Sequence, residues 1–142
     1  MNTDIYSKLQ VYSDFNYNYN SNNFSTVENY YMYIIVNGGL KMQKGKIASQ
    51  VGHAVQKVTE YCLKECPKLW KKYNSSCTPK IVLKTKNEEE LLNVIDKTED
   101  IFKCYVIDAG KTQIKPNSLT AVGYIPMSKE CVPSVLNDLK LL

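Results

Sequence analysis

Apolar and polar positions fall in blocks along residues 30–142, and the period changes from block to block. Met32-Tyr33-Ile34-Ile35-Val36 is a short apolar run rich in β-formers and predicts a buried strand over about 32–37. After it, Ile47, Val51, Ala54, Val55, Val58 and Cys62 recur at helical spacing, so a helix from about 45 to 65 has one apolar face. Pro67-Lys68-Leu69-Trp70-Lys71-Lys72-Tyr73 predicts a short second helix opened by proline. Further strands are expected near 79–85, 103–107 and 119–125. Between the second and third strands Asn87 caps a helix, with Glu90 as capping-box partner and Leu91, Leu92 and Ile95 as the apolar side. A last helix is expected within 128–138, its start limited by Pro133. Alternating strands and helices predict an α/β sandwich with helices on both faces of the sheet.

Residues 1–29 break this pattern. They are rich in Asn, Tyr and Ser, as in Asn16-Tyr17-Asn18-Tyr19-Asn20, and lack the aliphatic residues that offset the entropy of ordering. They are expected to be a flexible extension on a domain spanning 30–142. A packing or base-stacking role for the tyrosines is the other reading. The whole chain of 142 residues is one domain by size, and 44% hydrophobic residues suffice for a core.

The net charge of +4 is unevenly placed. Residues 1–29 hold one Lys and three acids, whereas 30–142 hold 17 Lys against 11 acids. A moderately basic body suits a polyanion such as RNA. Every basic residue is Lys, so anion contacts use point charges and backbone N–H groups rather than guanidinium forks. The five cysteines are an odd number without a Cys-x2-Cys pair, and there is one histidine. No zinc site is expected, and reduced thiols fit a reducing compartment. Asp4 comes early and no apolar run is long enough to span a membrane. The expected localisation is cytoplasmic, with no membrane partner.

The densest chemistry lies at the first strand-to-helix junction. Lys46, Gln50, His53 and Lys57 share an arc of the long helix beside its apolar stripe. Lys44 and Lys46 stand near the helix start, where free N–H groups favour anions, and Gly45 lets backbone approach a ligand. On spacing alone, an amphipathic helix with a simply solvated polar side is the favoured reading of the row. A second segment, Ile107-Asp108-Ala109-Gly110-Lys111-Thr112-Gln113-Ile114 followed by Lys115-Pro116, places a carboxylate at a strand end.

Taken together, Lys41-Met42-x-Lys44-Gly45-Lys46-Ile47-Ala48-x-Gln50-x-x-His53-Ala54 and Ile107-x-Asp108-Ala109-Gly110-Lys111-Thr112-Gln113-Ile114-x-Pro116 resemble the second family of peptidyl-tRNA hydrolases, the archaeal and eukaryotic type. The resemblance runs in order from about Met32 to Leu142, with Pro79-Lys80-Ile81-Val82-Leu83-Lys84 similar to the family's middle strand. It implies a three-layer α/β sandwich with a mixed four-stranded sheet. It implies hydrolysis of the ester between a peptide and the 3′ ribose of tRNA, without cofactor or metal, by a chain that pairs as a homodimer. Lys46, Asp108, Thr112 and His53 then carry catalysis. Lys46 would stabilise an oxyanion or hold the terminal phosphate, and Asp108 would orient water directly or through Thr112. His53 stays open between a proton shuttle or positioning group and a structural role. Gln50 and Gln113 would contact substrate, and Lys41, Lys44, Lys111 and Lys115 its phosphates. The chain departs from the family pattern at Asn37-Gly38-Gly39-Leu40, where the family has Arg-x-Asp-Leu, at Gln43, and at Cys77-Thr78. The alternative reading is a non-catalytic tRNA- or protein-binding module on the same fold.

Overall fold

The computed structural model describes residues 29–110 and 114–142. The expected extension, except for Asn29, lies outside them, as do Lys111, Thr112 and Gln113. The described chain folds in the order β1 (Tyr30–Asn37), a 3₁₀ turn (Gly38–Leu40), α1 (Lys44–Glu65), α2 (Pro67–Asn74), β2 (Lys80–Thr85), α3 (Glu88–Lys97), β3 (Lys103–Ile107), β4 (Leu119–Tyr124), β5 (Met127–Ser128), a 3₁₀ turn (Lys129–Cys131), α4 (Ser134–Asn137) and β6 (Lys140–Leu141).

The strands make one mixed sheet in the order β3-β4-β1-β2-β6, with β5 paired to the start of β1. Strand β1 runs parallel to β2, from Met32 opposite Lys80 to Asn37 opposite Thr85. It runs antiparallel to β4, which in turn is antiparallel to β3. The sheet therefore has six strands, not the four expected. The additional two are two-residue pairings: Met127 opposite Tyr31, and Leu141 opposite Leu83. Two residues are too short to register a period of two, so sequence patterning gives no sign of them. Pro126 separates β5 from β4, and a prolyl nitrogen cannot donate to the ladder.

Alternation along β1 divides the core in two. Met32 and Ile34 cluster with Ala54, Val58 and Cys62 of α1 and Tyr73 of α2. Tyr33 and Ile35 cluster with Leu83, with Leu91 and Val94 of α3, and with Leu136 of α4. Successive side chains of a strand point to opposite faces, so the two clusters lie on the two sides of the sheet. Helix α1 can approach closely because Gly123 of β4 has no side chain; a Cβ there would lie 2.9 Å from Val58 Cγ2 and 3.2 Å from the Ala54 carbonyl oxygen.

Local sequence explains the helix ends. Asn87 caps α3, its Oδ1 accepting from the Glu90 N–H at 2.8 Å. The return arm of the expected capping box is displaced by one residue: Glu90 Oε2 accepts from the Lys86 N–H at 2.6 Å. Past α3, Lys103 is buried and its Nζ donates to the carbonyls of Thr98 (2.6 Å) and Ile101 (2.7 Å), so the charge is satisfied inside. All five cysteines are free thiols, and burial, then a hydrogen bond with Cys66, pushes the Cys62 thiol up to about 12.

The turn after β1 is built tightly against β2. A Cβ on Gly38 would sit 2.1 Å from the Thr85 carbonyl oxygen, whereas one on Gly45 meets nothing within 4 Å. Gly38→Ala should therefore lower stability by about 1–3 kcal/mol through overpacking against main chain. Gly45→Ala, in the exposed first turn of α1, should be neutral or stabilising by about 0.5 kcal/mol. Denaturant midpoints of the two variants check both expectations, and equal midpoints would contradict the tight turn.

Candidate active site

Only part of the row on α1 faces solvent: His53 and Lys57 are exposed, Lys46 is half-buried and Gln50 is buried. Three of its four members reach across to the β3–β4 side of the sheet. Lys46 Nζ lies 2.5 Å from Asp108 Oδ1, at the end of β3. Gln50, only 4% exposed, accepts at Oε1 from the Thr120 hydroxyl at 2.7 Å. Lys57 Nζ donates to the Tyr105 carbonyl at 3.1 Å. His53 is exposed and its side chain makes no hydrogen bond among the described residues. The row follows helical spacing, and α1 lies along β3 and β4, so Lys46, Gln50 and Lys57 of the polar arc find partners on that side of the sheet.

Asp108 is the best-fixed group of the set. It is 7% exposed, and its second oxygen accepts from the Gly110 N–H at 2.9 Å, an Asx turn. Its own N–H donates to the Ser118 carbonyl (3.0 Å) and its carbonyl accepts from the Asn117 N–H (2.8 Å), closing the base of the loop. Gly110 is required here: its φ is +75°, and a Cβ would lie 2.5 Å from Pro116 Cγ. The Lys46 hydrogen bond, helped by the Gly110 N–H and the Lys46 charge and opposed by burial, holds the Asp108 carboxyl below its ordinary range. Asp108 is thus ionised at neutral pH and a weak base, suited to orienting a water more than to taking its proton.

Two residues of the site were not picked out as such from sequence. Thr120 is wholly buried, and its hydroxyl stands 2.7 Å from Gln50 Oε1 and 3.1 Å from the Val106 carbonyl. The ladder shifts register here: Val106 pairs with Ala121 and Ile107 with Leu119, so Thr120 has no partner. A bulge of this kind turns a side chain onto the other face, and this one directs Thr120 toward Gln50. The signal available in the sequence is a polar residue at the second position of an otherwise apolar strand. Asn37 is the second. It is 2% exposed, its Nδ2 donates to the Leu119 carbonyl at 3.0 Å, and its Oδ1 accepts from the Gly39 N–H at 3.1 Å. It ties the end of β1 to the start of β4 and forms the turn. Gly39 is also confined, since a Cβ would lie 2.9 Å from Asn87 Cα.

Among the expected phosphate contacts, Lys41, Lys44 and Lys115 are exposed, with Lys41 in the left-handed region at φ 50°. The first turn of α1 carries no acidic residue. Lys46 and Asp108 are brought together, with Gln50 next along the same helix face. Thr112, Gln113 and Lys111 fall outside the described residues. No group of three His, Cys, Asp or Glu side chains able to hold a metal ion occurs among the described residues.

The geometry defines a lysine–carboxylate pair backed by a buried amide, at the carboxyl end of a strand in an α/β sheet, a common location for ligand sites. A family model described as "Peptidyl-tRNA hydrolase PTH2" matches residues 30–142, and the chain belongs to that family. It is 41% identical over 118 residues to a protein of Sulfolobus acidocaldarius named peptidyl-tRNA hydrolase, covering 78% of this chain and 98% of that one. A Methanococcus vannielii protein of the same name is 40% identical over 111 residues, covering 77% and 96%. The mouse protein named peptidyl-tRNA hydrolase 2, mitochondrial, is 34% identical over 114 residues, covering 79% of this chain and 63% of its own length.

Two measurements test the site's physics. Because Asp108 is depressed in the fold, the stability it contributes is complete above the unfolded carboxylate pKa of about 3.9 and is lost as pH falls through the lower folded value. The melting-temperature gap between wild type and Lys46→Gln should hold steady from pH 8 to about 5 and narrow below about 4. A gap that does not change down to pH 2 would mean that the bridge adds no stability. Thr120→Val keeps the shape but strips the hydroxyl from Gln50, and should lower stability by about 1–3 kcal/mol in denaturant titration.

Proposed function

We propose that this chain hydrolyses the ester linking a peptide to the 3′ ribose of tRNA and so releases free tRNA. The observation that carries the reading is the Lys46–Asp108 pair, fixed at a strand end in a chain of this family. Ester hydrolysis needs an oriented water and a donor for the oxyanion that forms as the water oxygen bonds to the carbonyl carbon. Asp108 is held ionised and immobile, so it orients the water as an acceptor. Lys46 Nζ stands beside that carboxylate and supplies the donor for the developing oxyanion. The bond between the carbonyl carbon and the ribose 3′ oxygen then breaks, and that oxygen takes up the proton given up by the attacking water, so that the peptide leaves as a carboxylic acid and the tRNA with a free 3′ hydroxyl. In this reading Gln50 presents an amide to the substrate, held by Thr120, while Thr112 and Gln113 contact ribose or ester. His53, exposed one turn further along α1, acts as the proton shuttle or positioning group.

Lys41, Lys44, Lys111 and Lys115 flank the two motifs and meet phosphates as point charges, which makes affinity salt-dependent and blind to sequence. The two core clusters are read as the interfaces of a three-layer sandwich, and the family's pairing of two chains and a cytoplasmic location belong to the same reading. The hydrolase name carried by the relatives favours catalysis over a binding module. The loss of the family Arg at position 37 does not argue against it, because Asn37 here has a complete structural role of its own.

The test is release of tRNA from N-acetylated aminoacyl-tRNA. Lys46→Gln and Asp108→Asn should each lower kcat by at least about 100-fold, the size typical of losing one oxyanion donor. Their melting curves at neutral pH establish that they are folded. Folded variants as fast as wild type would sink the assignment.

A further inference from the structure

The lysines of the domain are not spread over it. From Cys66 to Asn87 the chain holds six lysines and no acid, and from Lys41 to Asn87 it holds eleven lysines and two acids, Glu60 and Glu65. From Glu88 to Asp100 the balance reverses, with six acids and one lysine. The fold converts this into two faces. Helices α1 and α2 pack with Met32 and Ile34 on one side of β1, and α3 packs with Tyr33 and Ile35 on the other. Lys80 and Lys84 alternate with Val82, which packs on the α1–α2 cluster, so their side chains lie on that side too.

At the corner where α1 meets α2, Lys64, Lys68 and Lys71 are exposed and their side chains make no hydrogen bond or ion pair among the described residues. Beside them Lys72 Nζ lies 5.9 Å from the centre of the Tyr30 ring, and Lys80 Nζ lies 5.6 Å from that of Tyr73 and donates to the Thr78 carbonyl at 2.9 Å, so two further positive charges stand at this corner. Lys64 is 18 residues beyond Lys46 on α1, an axial separation of about 27 Å. That distance is too great for the corner to touch an ester held at Lys46.

We propose that this corner is a second contact surface for the substrate and takes the phosphate backbone of a double-helical arm of the tRNA while the 3′ end lies at Lys46 and Asp108. The proposal rests on the hydrolase reading. Duplex RNA is bound largely through its shape and phosphates, and unpaired, flexible lysine ammonium groups supply the charge without base selectivity. The acidic α3 side repels the same backbone, so only one face of the domain offers it a surface.

The experiment replaces Lys64, Lys68 and Lys71 together by Gln and compares two substrates. One is N-acetylated aminoacyl-tRNA; the other is the same acyl ester on a trinucleotide ending in adenosine. The variant should lose at least about tenfold in kcat/KM on tRNA, mostly through KM, with a log–log salt slope shallower by about two. It should match wild type on the short ester and in melting temperature, and the Arg triple variant should restore activity on tRNA. Unchanged activity on tRNA overturns the proposal, as does an equal fall on both substrates. If wild type cleaves neither substrate, the hydrolase reading fails first, and binding to an RNA hairpin then decides the surface alone. Weaker hairpin binding by the triple Gln variant upholds it; equal binding removes it and leaves acidic protein as the remaining partner for the corner.

Discussion

From Met32 to Asn37, strand β1 is buried on both faces. Met32, Ile34, Ile35 and Val36 are at most 1% exposed, and Tyr33 lies between them nearly as deep. A strand buried in this way needs apolar partners for both sets of alternating side chains and neighbours along both edges: α1 and α2 join the cluster of Met32 and Ile34, α3 and α4 that of Tyr33 and Ile35, and β2 and β4 flank the strand. The parallel partner β2 needs a long crossover, which α1 and α2 provide. The antiparallel partner β4 brings β3 in beside it. Because β3 then runs in the same direction as β1, Asn37, Asp108 and the start of α1 all come to the same end of the sheet. The candidate site is a consequence of that convergence.

What holds the convergence is a small set of polar ties across elements distant in sequence. Lys46 joins α1 to β3, Gln50 joins α1 to β4, and Asn37 joins β1 to β4. Each of these groups is nearly buried, and each has its partner in place, which is the condition for burying polar atoms without large cost. The same ties limit motion of the groups proposed to meet substrate. A lysine and a carboxylate already fixed to each other have little reorganisation left to do when charge develops nearby.

Much of this was legible from the residues. The runs 32–36 and 103–107 and the stripe from Ile47 to Cys62 gave the long strands and α1, because their periods are clear over several residues. Helical spacing also placed Lys46, Gln50, His53 and Lys57 on one arc. What the arc meets was not legible, since only the pairing of β3 with β4 decides it. Thr120 illustrates the limit: regular alternation assigns it to the face of Val122 and Tyr124, and a one-residue register shift turns it to Gln50. Asn37 stood out as a departure from a family pattern, and its hydrogen bonds make it a structural lock. Strands β5 and β6 escape any reading by period, being two residues each. For His53 the sequence left two roles open, and an exposed side chain without a bond favours neither.

The separation of charge between the α1–α2 side and the α3 side has a kinetic meaning as well. A body with an excess of lysines on one side and of carboxylates on the other carries a dipole moment, and near a polyanion it experiences a torque. At physiological ionic strength this acts over only about 8 Å, so it operates in the last moments before contact. Within that distance a misoriented encounter is turned toward the lysine side instead of being rejected, and fewer collisions are wasted. Raising the salt shortens the range of this reorientation, so the rate of encounter declines before any contact in the bound state is weakened.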